Sequence, residues 1–110
     1  MRLSTEIYNN YLIVHLEGEL DHHSAEEVRR KIDSEYYDKG LTNMVLNFRG
    51  LNFMDSSGIG LVMGRYKNCN EQGGKVSIVN IGPNLEKILQ MSGLMKIINV
   101  YPSIEEAIKD

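Results

Sequence analysis

Apolar and polar residues alternate through the first twenty positions of the chain, which is the spacing of β-strands with one buried face. Residues 3–7 alternate, Asn9-Asn10 is a turn signal, and residues 11–20 alternate again. The chain therefore begins with a predicted strand hairpin. The buried face of its second strand is predicted to hold Leu12, Val14, Leu16 and Leu20.

The pattern then changes to apolar residues three and four apart, which is the spacing of amphipathic helices. This spacing predicts a helix over residues 24–37 and a second helix from Ser56 or Ser57 to about residue 71. A third helix is predicted to begin at Pro83, and a short fourth helix to cover residues 103–108. The predicted buried residues of the second helix are Ile59, Val62, Met63 and Tyr66.

Further strands are predicted between these helices, at residues 44–46, 76–81 and 97–101. The order β-β-α-β-α-β-α-β-α predicts a single α/β domain over residues 1–110, with a mixed, mostly parallel sheet and an N-terminal β-hairpin. Loops at the carboxyl ends of parallel strands share one rim of such a sheet. In this chain those loops are residues 21–23, 53–57 and 82–84.

Composition excludes several classes of function. The net charge of −3 argues against nucleic acid binding. No apolar run approaches the roughly 20 residues that cross a bilayer, and no signal-peptide pattern is present, so a cytoplasmic protein without membrane attachment is expected. Cys69 is the sole cysteine, which excludes an internal disulfide and a cysteine-rich zinc site. Cys69 is predicted to lie in the core, as are Met44, Met63, Met91 and Met95.

The start of the second helix differs from other helix starts in the chain. Segments 24–27 and 103–106 each carry a serine followed three residues later by a glutamate, which predicts a capping box. The pair Ser56-Ser57 has no such glutamate, and Gly58 and Gly60 follow in the first turn. Each glycine costs about 1 kcal/mol relative to alanine inside a helix. This local inconsistency marks the helix start as a candidate functional site.

The glycines of this helix are expected to have two different roles. Gly60 and Gly64 are four residues apart on one stripe, which predicts close packing of the helix on the sheet. Gly58 lies off that stripe and is expected to let a partner approach the backbone.

A serine hydroxyl at such a turn can be a nucleophile, a helix cap or a phosphate acceptor. The hydrolase nucleophile elbow needs glycine two residues on each side of the serine, and neither Ser56 nor Ser57 has both. A pure cap leaves the first-turn glycines unexplained. A phosphoryl group on Ser56 would add about −1.5 to −2 charges at the positive end of a helix dipole. The fold would tolerate that charge, whereas a partner docked beside Asp21 and Asp55 would not.

The segment Asp21-His22-His23 has the residue types of a metal site. Adjacent histidines in a loop often point apart, however, and no third ligand follows at a regular spacing. No glycine-lysine phosphate loop is present either. The sequence therefore predicts neither a metal nor a cofactor.

Five segments together resemble the STAS domain: GELDHH at 18–23, VLN at 45–47, FMDSSGIG at 53–60, GRYK at 64–67 and MSGLMKII at 91–98. Asn47 stands where STAS domains often have aspartate. In this respect the chain is similar to the anti-sigma factor antagonists of sporulating bacteria.

This resemblance implies a regulator without catalysis of its own. The unphosphorylated form would bind an anti-sigma factor serine kinase and release the sporulation sigma factor sigma-F. The kinase would then phosphorylate Ser56 with ATP, which blocks binding, and a serine phosphatase would restore the free hydroxyl. The free protein is expected to be a monomer. The expected partner-binding residues are Asp21, His23, Asp55, Ser57, Gly58 and Leu61.

Two alternatives stay open at this stage. A STAS antagonist that controls a stress-response sigma factor would share the same fold and the same serine. An enzyme that uses Ser56 as a nucleophile belongs to a different class of function, and a serine-reactive fluorophosphonate would label it.

Overall fold

The computed structural model describes residues 1–109, and it has the element order that the hydrophobic pattern predicts. Each predicted strand and helix is present, with boundaries that shift by one or two residues, except that the strand predicted at residues 44–46 extends to Met54. The strands are β1 (Arg2–Tyr8), β2 (Tyr11–Leu20), β3 (Asn43–Met54), β4 (Val76–Val79) and β5 (Asn99–Tyr101). The helices are α1 (Ala25–Asp38), α2 (Ser56–Glu71), α3 (Pro83–Ser92) and α4 (Ile104–Lys109), with a 3-10 turn at Leu94–Lys96.

The five strands form one mixed sheet in the order β1-β2-β3-β4-β5. β1 pairs antiparallel with β2, and the other neighbouring strands are parallel, which confirms the predicted sheet. Asn9, at φ 52°, makes the tight turn of the hairpin. None of the helices in residues 1–109 has both the length and the apolar composition of a membrane span.

The strands end at different levels, which corrects the prediction of a rim shared by three loops. β2 and β3 end together, because Leu20 pairs with Met54. β4 ends opposite Asn47, seven residues before the end of β3. The loop after β4, at residues 82–84, is therefore set back from the loops that follow β2 and β3. Only those two loops lie at the same edge.

Apolar residues pack on both faces of the sheet. The larger cluster lies between one face and helices α1, α2 and α3, and it includes the predicted strand residues Leu12, Val14, Leu16 and Leu20. The smaller cluster lies on the opposite face, against α4. It consists of Tyr11, Ile13, Val45, Val79 and Ala107. The first half of β2 is thus covered on both faces.

The buried face of α2 is rotated relative to the prediction. Val62 is buried as predicted, and Ile59 and Tyr66 are partly buried against the larger cluster, whereas Met63 is 42% exposed. The fully buried residues of the helix are Gly58, Leu61, Val62, Arg65 and Cys69. The buried charge of Arg65 is paired with Asp33 on α1, because Arg65 Nε lies 3.0 Å from Asp33 Oδ1. This pairing makes a charged side chain tolerable between α1 and α2. A pattern of apolar residues alone predicts that residue 65 is exposed to solvent.

Three of the five sulfur-containing residues predicted to lie in the core are there, whereas Met63 and Met91 are exposed. Met44 and Cys69 are buried, and Met95 packs against the larger cluster. Met91 is 88% exposed, so its prediction as a core residue is wrong. It lies in the last turn of α3, whose buried residues are Leu85 and Leu89.

Candidate functional site

Ser56 is the first residue of α2, and Asp55 is the residue that caps this helix. Asp55 Oδ1 accepts a hydrogen bond from Ser57 N at 2.8 Å. The carbonyl oxygen of Asp55 accepts from Gly58 N and Ile59 N at 3.0 and 3.2 Å. The helix start is therefore well capped, which corrects the prediction that α2 begins without a proper cap. Aspartate is as good an N-cap as serine, so the sequence carried this signal one residue earlier.

Because Asp55 is the cap, the Ser56 hydroxyl is not needed for the fold. Ser56 is exposed, and its side chain makes no hydrogen bond within residues 1–109. A hydroxyl at a helix N-terminus that is accessible and unpaired can accept a phosphoryl group without breaking a contact. The positive end of the helix dipole favours the added charge.

The loop between β2 and α1, residues 21–24, is held together by Asp21. Its Oδ1 accepts hydrogen bonds from His23 N at 3.0 Å and from Ser24 N at 3.1 Å. Burial acts to raise the pKa of Asp21, but the hydrogen bonds from Ser24 and His23 outweigh it and hold the pKa below the ordinary value of 3.8. These hydrogen bonds therefore favour the ionised carboxylate of Asp21 over its protonated form.

The predicted capping box at residues 24–27 is wrong. Ser24 has helical backbone angles, φ −100° and ψ −24°, and its side chain makes no capping hydrogen bond. The Ser24 hydroxyl instead donates to the carbonyl oxygen of Glu19 at 2.9 Å. At residues 103–106 the serine half of the box is present, since Glu106 N donates to Ser103 Oγ at 3.2 Å.

A hydrogen bond joins the β2–α1 loop to the start of α2. His22 N donates to Asp55 Oδ2 at 3.1 Å, and Asp55 N donates to the carbonyl oxygen of Leu20 at 3.4 Å. The rings of His22 and His23 are exposed and meet edge to face, with centroids 5.6 Å apart. The predicted neighbours Asp21, Asp55 and Ser56 are therefore on adjoining loops, beside two exposed imidazoles.

Two of the expected partner-binding residues lie beneath this surface. Leu61 is 5% exposed and belongs to the larger core cluster. A Cβ on Gly58 would lie 2.5 Å from Met54 Cγ and 2.9 Å from the carbonyl oxygen of Leu20. Neither residue offers a side chain to a partner, and both shape the surface from below. His23 is exposed, and Asp21, Asp55 and Ser57 are half-buried.

The glycine roles expected from the sequence are reversed. Gly58 is the glycine at which α2 approaches the sheet too closely for a Cβ. A Cβ on Gly60 or Gly64 would meet nothing within 4 Å. The rotation of α2 explains why the two glycine roles are reversed, because it turns Gly58 toward the sheet and Gly60 toward solvent.

Phe53 is a surface residue that sequence reasoning did not select. It is 47% exposed at the end of β3, whereas the next residue, Met54, is buried. Simple strand alternation gives no signal for this exposure, because Asn52 and Phe53 are consecutive and both are exposed. This exposed aromatic ring, two residues before Asp55 in the chain, offers apolar contact area to a partner.

The model of one protein family, the STAS domain, matches residues 2–107. The anti-sigma F factor antagonist of Paenibacillus polymyxa is 37% identical over 110 residues, which cover 100% of this chain and 94% of that protein. The anti-sigma-B factor antagonist of Bacillus subtilis (strain 168) is 27% identical over 100 residues, with 91% and 90% covered.

Two solved structures are similar over nearly the whole chain. The structure of the anti-sigma factor antagonist SpoIIAA in its unphosphorylated form has a TM-score of 0.77 and 32% identity, with 99% of this chain and 96% of that chain covered. The structure of the Bacillus cell fate determinant SpoIIAA in the phosphorylated form has a TM-score of 0.76 and 36% identity, with 98% and 97% covered.

Proposed function

This chain belongs to the STAS domain family and, within it, to the anti-sigma factor antagonists, and from that premise we propose that it works by partner switching on sigma-F. The unphosphorylated chain binds an anti-sigma factor serine kinase and so releases the sigma factor. Phosphorylation of Ser56 blocks this binding, and a serine phosphatase reverses it. The chain supplies a substrate hydroxyl and a docking surface, without catalysis of its own.

The accessible Ser56 hydroxyl carries this proposal. It is exposed, it is unpaired within the described residues, and it lies at the first position of α2. A phosphoryl group there adds about −1.5 to −2 charges beside Asp55 and near Asp21. A docked partner would have to remove that charge from water next to carboxylates, which costs several kcal/mol. The docking surface is proposed to comprise Asp21, His23, Asp55 and Ser57, supported from below by Gly58 and Leu61.

The choice of sigma-F rests on the relatives. The higher identity is to a protein named an anti-sigma F factor antagonist, at 37%, against 27% for one named an anti-sigma-B factor antagonist. Control of a stress-response sigma factor is the second candidate within the same family. Pull-down of purified candidate kinases with the unphosphorylated chain separates the two, and retention of the stress-response kinase alone would contradict sigma-F.

The nucleophilic enzyme is the alternative from a different class. A serine nucleophile needs a base within hydrogen-bond reach, and the Ser56 hydroxyl has no such partner in the described residues. His15 is engaged elsewhere, with Glu6 Oε2 at 2.8 Å and Asn47 Nδ2 at 2.9 Å. We expect a fluorophosphonate probe to leave Ser56 unlabelled. The free chain is proposed to be a cytoplasmic monomer that needs no metal or cofactor.

Phosphosite mapping tests the proposal directly. The chain is incubated with the cognate kinase and ATP, alongside Ser56→Ala and, as a matched control, Ser24→Ala. Both serines lie at helix starts near the same sheet edge, but only the Ser56 hydroxyl is unpaired. We expect modification at Ser56 in the wild type and in Ser24→Ala, and none in Ser56→Ala, which should still bind the kinase. A phosphoryl group on Ser57 alone would contradict the assignment.

A further inference from the structure

We propose that Asp55 is a positioning residue, which clips the β2–α1 loop to the start of α2 and so builds the surface on which the partner docks. This inference rests on the proposed function and changes the role of Asp55 within it. Asp55 was expected to contact the partner. The contacts of its carboxylate show what it does inside the chain.

Both carboxylate oxygens of Asp55 are engaged with backbone N–H groups on two different segments. Oδ1 accepts from Ser57 N at 2.8 Å, in the first turn of its own helix. Oδ2 accepts from His22 N at 3.1 Å, in the loop before α1. Hydrogen bonds to a charged acceptor are stronger than neutral ones, so this carboxylate is a firm link between the two segments.

The loop has no other hydrogen bond to α2. Within the described residues, the other hydrogen bonds of Asp21 and Ser24 stay inside the loop, reach back to Glu19 or reach forward into α1. The bond from His22 N to Asp55 Oδ2 is therefore the one hydrogen bond that joins residues 21–24 to residues 55–71. Without it, the exposed imidazoles of His22 and His23 lose their fixed position relative to Ser56.

A preorganised surface binds more tightly, because a partner does not have to order it on binding. The clip fixes two adjoining loops before any partner arrives. Its loss should weaken docking, whereas the presentation of the Ser56 hydroxyl on α2 depends on the separate cap made by Oδ1. Docking and phosphoryl acceptance can therefore be separated by one substitution.

Asp55→Asn makes that separation. The asparagine amide oxygen can still accept from Ser57 N, and asparagine equals aspartate as an N-cap. Its other terminal atom is an NH₂ group, which donates and cannot accept from His22 N. Because this substitution also removes a negative charge, Glu19→Gln serves as the matched control. Glu19 is exposed near the same end of β2, and its side chain makes no hydrogen bond in the described residues.

Two measurements on the full chain test the clip. Amide hydrogen exchange by NMR, in the unphosphorylated chain without partner, should show His22 N–H exchanging about tenfold faster in Asp55→Asn, with Ser57 N–H still protected. Steady-state phosphorylation by the kinase should show KM raised about tenfold and kcat retained. Glu19→Gln should change neither the exchange of His22 nor KM.

Either of two results would overturn the clip. One is unchanged His22 exchange in Asp55→Asn. The other is an equal rise of KM in Asp55→Asn and Glu19→Gln, which would assign the effect to charge. The exchange measurement needs no partner, so it decides the clip even if no kinase modifies the wild-type chain. If no kinase modifies the wild-type chain, the proposed function is refuted. The clip is then tested by the hydrogen exchange of His22 alone.

Discussion

The starts of α1 and α2 lie on adjoining loops, and each has an aspartate that precedes a serine, yet the two serines are used in opposite ways. At α1 the Ser24 hydroxyl donates to the carbonyl oxygen of Glu19 and accepts from Asp21 N. At α2 the aspartate takes the capping role, and the Ser56 hydroxyl is left unpaired and exposed. The Ser56 hydroxyl is unpaired because Asp55 makes the capping hydrogen bond of α2, whereas the Ser24 hydroxyl is occupied by contacts to its own loop and to β2.

The same comparison explains why modification at α2 is compatible with the fold. A phosphoryl group on Ser56 disturbs no hydrogen bond of that side chain, and it lies where a helix favours negative charge. A phosphoryl group on Ser24 would have to break the bond to Glu19 and would lie beside the Asp21 carboxylate, whose Oδ1 is 3.2 Å from Ser24 Oγ. The serine hydroxyl at the first start is occupied by hydrogen bonds, and the one at the second start is free.

The largest expected effect is loss of partner binding on adding charge at Ser56. Ser56→Asp should weaken binding of the kinase by about a thousandfold, or ~4 kcal/mol, because a buried uncompensated carboxylate lies in the complex. Its free energy of unfolding should stay within about 0.5 kcal/mol of wild type. Isothermal titration calorimetry measures the binding. Ser56→Asn, similar in size and neutral, should bind far better than Ser56→Asp; equal loss in both would point to steric exclusion.

The next largest effect contrasts two glycines of α2. Gly58→Ala should lower the free energy of unfolding by about 1–3 kcal/mol, because the new Cβ would lie 2.5 Å from Met54 Cγ and 2.9 Å from the carbonyl oxygen of Leu20. Gly60→Ala should raise it by about 1 kcal/mol, because alanine favours the helix and meets nothing within 4 Å. Urea unfolding measures both. Equal effects of the two substitutions would contradict the observed rotation of α2.

The smallest effect concerns acid sensitivity of the β2–α1 loop. The pKa of Asp21 is lower in the folded chain than its ordinary value of 3.8, so its contribution to stability is present above pH 3.8 and is lost as pH falls through the folded pKa. Protection of the His23 amide from hydrogen exchange should fall over that window. Asp21→Asn retains an acceptor that does not titrate, and it should abolish this pH dependence. The same acid profile in both chains would exclude Asp21 as the cause.

The order of elements could be predicted from the sequence because it depends on periodicity, which is a local property. Strand alternation, helical spacing and a short apolar run were sufficient to predict that all nine strands and helices in residues 1–109 exist, although not how long β3 is. The orientation of α2 could not be predicted in the same way. It depends on the pairing of Arg65 with Asp33, which are distant in the chain, and on the fit of Gly58 against Leu20. These are tertiary contacts between different elements.

The candidate serine was found from the sequence, although one of the reasons was wrong. The missing capping box pointed to Ser56, whereas the structure shows a sound cap supplied by Asp55. The parallel-sheet rule placed residues 21–23 and 53–57 together, as observed, and wrongly added residues 82–84. The link from His22 to Asp55 involves a backbone N–H group, and no pattern of side chains signals it.

The unequal lengths of β3 and β4 divide the molecule into two parts. Beyond Asn47, β3 pairs with β2 alone. Because β1 pairs with β2 only as far as Glu17, which lies opposite Gly50, the last residues of β2 and β3 before Ser56 form a two-stranded ribbon. β4 pairs with β3 only at Met44–Asn47, near the start of β3. β5 pairs with β4 on its other side. Substitutions in α4 and β5 are therefore expected to leave the strand pairing next to Ser56 unchanged.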